Sequence, residues 1–179
     1  MELTYQLSVD DVVESQLYGS AHSDFHIKKR KRSRWLIALL YLALGIMMVY
    51  KHPNWTLGIS SFAFAIVWYA FYPKYAKWRY KKYFQSMIKS KYSDLIGSDI
   101  YMGLDEKGLT SKDSATESAV KWKDIAQLIQ LKDHFLVQLS TGQTLIVPML
   151  ALKDQQQELT EIFSQKQIEI VDDQNWKFV

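Results

Sequence analysis

The chain is 179 residues long, enough for one domain or for a small domain with an appendage, and its lack of cysteine excludes a disulfide framework, a thiolate nucleophile and a Cys-type zinc site. Its net charge of +3 hides a sharp segregation: residues 1–24 hold five acids and no Lys or Arg, residues 25–93 fourteen Lys or Arg and no acid, and residues 94–179 eight bases and fourteen acids. A soluble globule intersperses its charges to avoid self-repulsion, so something other than water organises the middle segment.

At the N-terminus "ELTYQLS" alternates Leu3, Tyr5 and Leu7 with polar neighbours, the pattern of a strand with one buried face. "SVDDVVESQLYGS" then opens a helix, with Ser8 as N-cap, Asp10 and Asp11 at the positive helix end, and Val9, Val12, Val13 and Leu17 as its apolar stripe. This helix is expected to run nearly unbroken towards the segment that follows. His22 and His26 have a metal-compatible spacing, but the only carboxylate near them, Asp24, lies on another face, and a solvated helix with no metal is the expectation. Residues 1–34 thus form a strand, a cytoplasmic helix and a basic block.

The block, Lys28, Lys29, Arg30, Lys31, Arg32 and Arg34, abuts sixteen uncharged residues from Trp35 to Tyr50. After "KHPN" come eighteen more, Trp55 to Tyr72. At about 1.5 Å per residue these make helices of roughly 24 and 27 Å, a little short of a hydrocarbon core about 30 Å thick, a mismatch that snorkelling and local thinning absorb. Neither run has a polar stripe at helical period, so residues 35–72 predict a transmembrane hairpin of spans 35–50 and 55–72. Lys74, Lys77, Arg79, Lys81 and Lys82 follow the second span, whereas the turn holds only Lys51. The positive-inside rule then puts both termini in the cytoplasm and the turn outside, with the basic residues against anionic head groups. Trp35, Tyr50, Trp55, Trp68, Tyr69 and Tyr72 supply the interfacial aromatic belts.

Competing readings fit less well. The acidic start and the "MMVYKHPNW" end do not suit a cleavable signal peptide, and the rest of the chain is too small to bury the hairpin in a soluble protein. Tyr75, Trp78, Tyr80 and Tyr83 among bases suit nucleic acid in principle, but beside two spans lipid explains them, and no nucleic-acid partner is expected. No ionisable residue lies inside either span, as pumps require. Gly58, Ser61 and Ala65 form a small-residue face for packing on the first span or on a second copy.

Residues 73–95 read as a basic amphipathic stalk. From residue 96 to 179 the texture becomes β-rich: "DIYMGL", "GLTSK", "SAVKW", "IAQLIQL", "FLVQL" and "TLIVP" are six short strands, with Gly108 and Gly142 at turns expected to need positive φ. "LKDQQQELTEIFSQ" reads as one closing amphipathic helix. The fold class is therefore α+β: a two-helix transmembrane hairpin plus a small antiparallel β domain, barrel-like and plugged by the C-terminal helix. The N-terminal strand is expected to cover an edge of that sheet. The tail "VDDQNWKFV", acidic and then aromatic, either docks as an extra strand, the favoured reading, or hangs free as a peptide for a partner.

Val120, Trp122, Asp124 and Ile125 form a "V-x-W-x-D-I" motif followed by two hydrophobic strands, the last ending at Pro148. With the acidic helix start, basic block and hairpin, this order resembles the YcxB-like family of bacterial membrane proteins, whose C-terminal module is similar to bacterial pleckstrin-homology-like domains. The resemblance implies that fold and a bacterial inner-membrane location, and no established reaction. The family more often has a basic residue after that Pro, where this chain has Met149 and Leu150, so a phosphate-binding role for the loop is not carried over.

For chemistry the reading is negative. Trp122 is expected to fill the core and Asp124 to cap the next turn, while His52 and His134 sit in turns without a visible nucleophile or relay partner. No cofactor and no enzymatic activity are expected. The expected function is a multi-pass inner-membrane protein displaying a PH-like module to the cytoplasm as a non-enzymatic binding or scaffolding unit for a protein or peptide. The alternative is an oligomeric accessory subunit of a transport or pore system, assembled as a homo-oligomer.

Overall fold

Ser8 starts the first helix by a reciprocal cap: its hydroxyl oxygen accepts from the Asp11 N–H at 3.2 Å, and its own N–H donates to Asp11 Oδ2 at 2.7 Å. The structure, a computed structural model, describes residues 1–51, 55–91, 93, 96–113 and 116–178. His52, Pro53 and Asn54 of the expected outer turn lie outside the described residues. The elements are β1 (Glu2–Gln6), α1 (Val9–His22), α2 (Asp24–Lys51), α3 (Trp55–Lys91), β2 (Asp99–Leu104), β3 (Gly108–Lys112), β4 (Glu117–Lys121), β5 (Ile125–Gln130), β6 (His134–Leu139), β7 (Thr144–Pro148), α4 (Met149–Leu152), α5 (Gln156–Gln165) and β8 (Glu169–Asp172). Two compact units result, one of Met1–Gln16 with Phe84–Lys177, the other of Leu17–Tyr83 with Phe178–Val179. The first reaches beyond residues 96–179, because it takes in β1, the start of α1 and the end of α3.

In the first unit all six expected strands form, and they share two four-stranded sheets with β1 and β8, in the orders β1-β2-β3-β4 and β7-β6-β5-β8. Strand β1 covers the β2 edge, as its alternation predicts: Leu3, Tyr5 and Leu7 are buried, and Leu3 stands opposite Met102. Only the first two residues of the tail, Val171 and Asp172, join a strand: β8 runs parallel to β5 with Ile129 opposite Val171, and residues 173–178 lie in no strand. Strand β6 is central and has no exposed face; Phe135, Leu136 and Val137 are fully buried, along with Leu128, Val147, Leu159 and Phe163. Burial of each such side chain contributes about 1.5–3 kcal/mol, which makes this the main stabilising mass of the unit.

The closing helix is a correction. Instead of one helix through residues 152–165 there are two, α4 and α5, because Lys153 adopts a left-handed φ of 48° that no α-helix accommodates. Gly142 has the expected positive φ of 86°. Gly108 also has positive φ, 158°, and in addition a Cβ there would lie 2.0 Å from the Val120 carbonyl oxygen, so glycine lets β4 approach β3.

In the second unit α2 and α3 pack through small residues. A Cβ on Gly58 would meet Val49 Cγ2 at 2.4 Å, and one on Gly45 would meet the Phe62 ring at 2.9 Å. Ala65 is 3% exposed. The face formed by Gly58 and Ala65 is therefore occupied by the chain's own first long helix.

Candidate membrane interface and the buried histidine

Helices α2 and α3 are long and apolar enough to cross a membrane, and only 11% of the apolar window of each is buried. Leu36, Leu39, Leu40 and Ile46 on α2, and Ile59, Phe64, Ile66 and Phe71 on α3, are exposed. A soluble core helix would hide such residues, and an apolar surface of this extent marks contact with lipid or with another protein.

Most predicted cationic residues lie at the surface: Lys28, Lys29, Lys31, Arg32, Lys74, Lys77, Arg79, Lys81 and Lys82 are exposed. Arg30 is a correction. Only 5% exposed, it donates from Nη1 to the Ser20 carbonyl at 2.9 Å and lies 4.7 Å from the Phe178 ring centroid. It caps the last turn of α1, whose orphan carbonyls and negative dipole end attract a cation, so its side chain is enclosed within the chain instead of lying at the surface. Arg34 is half-buried: Nε donates to the Tyr69 carbonyl at 3.0 Å, and its guanidinium stacks 3.8 Å over the Tyr69 ring.

Among the aromatics, Trp35, Tyr50, Trp55 and Tyr69 are exposed, and Trp35 meets Tyr69 edge-on at 5.2 Å. Trp68 and Tyr72 are half-buried, their rings 5.5 Å apart and tilted by 52°. His22 and His26 are engaged locally, with Nδ1 of His22 donating to the Tyr18 carbonyl at 3.0 Å and His26 Nδ1 lying 3.2 Å from the Tyr80 hydroxyl. Among the described residues no cluster of three metal-ligating side chains occurs.

The family-type motif falls at the junction of the two sheets. Ile125 and Pro148 are buried and Val120 is half-buried. Trp122, expected in the core, is half-buried: it donates from Nε1 to the Asp105 carbonyl at 3.0 Å and meets Phe163 edge-on at 5.4 Å. It sits in a 3-10 turn between β4 and β5, where it is only partly covered. Asp124 does not cap; its side chain is exposed, and it is its carbonyl that accepts from Ser140 N–H at 2.9 Å.

His134 is the residue that sequence reasoning missed. It was expected in a turn without a partner, but it is the first residue of β6, 5% exposed, with Nε2 donating to Asp11 Oδ1 at 2.8 Å. Glu14 Oε2 stands 3.7 Å from Nδ1, too far for a hydrogen bond. Partial burial pushes the Asp11 carboxyl up, but hydrogen bonds from His134 and from the Ser8 N–H and hydroxyl, with the His134 charge, outweigh it and hold the group below its ordinary value. The arrangement clamps the first turns of α1 onto β6 across 123 residues of sequence.

Residues 104–163, from the end of β2 into α5, match the model of the YcxB-like protein family. The match covers roughly a third of the chain. No curated protein matches it.

Proposed function

We propose, taking the YcxB-like match over residues 104–163 as the premise, that this protein is an inner-membrane module anchored by the α2–α3 hairpin, with both termini and the β-rich unit in the cytoplasm. The observation that carries this reading is the pairing of two helices whose apolar surface is left bare with cationic residues at one end of each. Each cation near an anionic leaflet adds about 1 kcal/mol of attraction, and together they hold that end inside. The β-rich unit acts by binding, as a PH-like scaffold for a protein or peptide. Its edge strand β4 exposes Glu117, Ser118 and Ala119 for pairing with an added strand. The Asp11–His134 pair serves a structural role in this reading, since the buried His134 ring ties β6 to the partly exposed Asp11 at the start of α1.

A pore assembled from several hairpins is the weaker reading, because the Gly58 and Ala65 face is already spent on α2. Alkaline carbonate washing of membranes from expressing cells tests the anchor: the chain stays in the pellet. Recovery of the full chain in the wash overturns it. Crosslinking in the same membranes yields monomers bound to other proteins; a ladder of self-multimers favours the pore.

A further inference from the structure

Between α2 and α3 lie two adjoining cavities of opposite character. The first, about 360 Å³, is lined by Lys29, Arg30 and Arg79 with Ser33 and several tyrosine rings. Among the described residues no Asp or Glu lines it, and residues 25–93 contain none. The second, about 190 Å³, is lined by Tyr41, Phe64, Val67, Trp68 and Phe71. Tyr72 and Tyr75 line both, so one molecule can place an anionic end in the first and an apolar end in the second.

The spacing suits a lipid. At about 1.5 Å per residue, Ser33 and Lys29 stand roughly 3 and 9 Å beyond Trp35, where the first apolar run begins. The head-group layer on each side of a bilayer is about 5–8 Å deep, so a phosphate falls between those two levels. Phe71 is eight residues from Arg79, about 12 Å along α3, at the depth where an acyl chain starts. Within the cleft, Arg30 is committed to the carbonyls of α1 and contributes its charge, whereas the exposed Lys29 and Arg79 are placed for direct contact. Ser33 adds a hydroxyl donor to phosphate oxygen.

We propose that these paired cavities bind one anionic phospholipid, its phosphate held by Lys29, Arg79 and Ser33 and the beginning of an acyl chain lying against Phe64, Val67 and Phe71. The site rests on the membrane reading above and adds to it a single saturable lipid where a diffuse basic collar would hold many loosely.

The test titrates delipidated full-length protein, in uncharged detergent, with phosphatidylglycerol or phosphatidylcholine and counts retained lipid by native mass spectrometry. One phosphatidylglycerol per chain is retained in preference to phosphatidylcholine. The K29Q/R79Q double variant loses about tenfold or more in apparent affinity, while the charge-matched K28Q/K77Q variant stays within about threefold of the parent. Equal losses in the two variants, or no preference for phosphatidylglycerol, overturn the site. Displacement of the lipid by inorganic phosphate or glycerophosphoglycerol at equal concentration also overturns it, in favour of a soluble phosphate ligand. Failure of the membrane reading is separate: it appears as release of the chain from native membranes by carbonate, whatever the titration gives.

Discussion

Replacing Asp11 with Ala removes two hydrogen bonds at once. The Ser8 N–H loses its acceptor at 2.7 Å, which by comparison with other helix caps costs about 1 kcal/mol. The His134 bond at 2.8 Å is lost as well, and Nε2 is left without an acceptor on a ring only 5% exposed; Nδ1 has no hydrogen-bond partner either, with Glu14 Oε2 standing 3.7 Å from it. Stranding a buried donor costs about 1–3 kcal/mol. The sum is about 3 kcal/mol, and with a urea dependence of about 1.5–2 kcal/mol per molar the midpoint falls by roughly 1.5–2 M. Pulse proteolysis of the full chain in mild detergent at increasing urea measures it, with fragments of β6 and α1 as the readout. The difference depends on pH in a defined direction. Because the Asp11 carboxyl is depressed in the folded chain, its contribution is fully present above the unfolded value of about 3.9 and is lost as pH falls through the folded value. Parent and variant therefore differ most near neutral pH and converge in acid. A midpoint within about 0.3 M of the parent at pH 7 would falsify the clamp, as would a gap that widens on acidification.

Two further substitutions probe the packing of each unit separately. Phe163→Ala empties a fully buried ring site against which Trp122 packs edge-on, and it lowers the stability of the β-rich unit by about 3–5 kcal/mol in the same urea assay, with a shift in Trp122 fluorescence. Gly58→Leu forces a side chain into the space of Val49 Cγ2, separates α2 from α3, and appears as loss of a disulfide between cysteines introduced at Gly45 and Phe62 while the β-rich unit keeps its urea midpoint.

Legibility in the sequence followed the range of the interaction. Strand β1 was readable because alternation of Leu3, Tyr5 and Leu7 has the period of a half-buried strand, and the long helices because no polar stripe interrupts residues 35–50 or 55–72. The six strands of the β-rich unit announced themselves by β-branched and aromatic runs between turn residues. Arg30 was not distinguishable from its neighbours in the basic block, since only the break at Ser23 and the helix register bring it over the Ser20 carbonyl. Trp122 looked like core by residue type; the 3-10 turn that holds it at the junction is a tertiary outcome. The break at Lys153 has no Gly or Pro to signal it. His134 and Asp11, 123 residues apart, carry no local mark of their pairing.

The absence of native cysteine makes one labelling experiment decisive for the anchored hairpin. Lys51→Cys, at the end of α2, and Glu106→Cys, in the exposed turn between β2 and β3, each give the chain a single thiol. Intact cells treated with a membrane-impermeant maleimide label the cysteine at 51 and leave that at 106 untouched until the membrane is opened. Labelling at 106 in intact cells, or equal protection of both sites, contradicts the hairpin with its basic flanks inside.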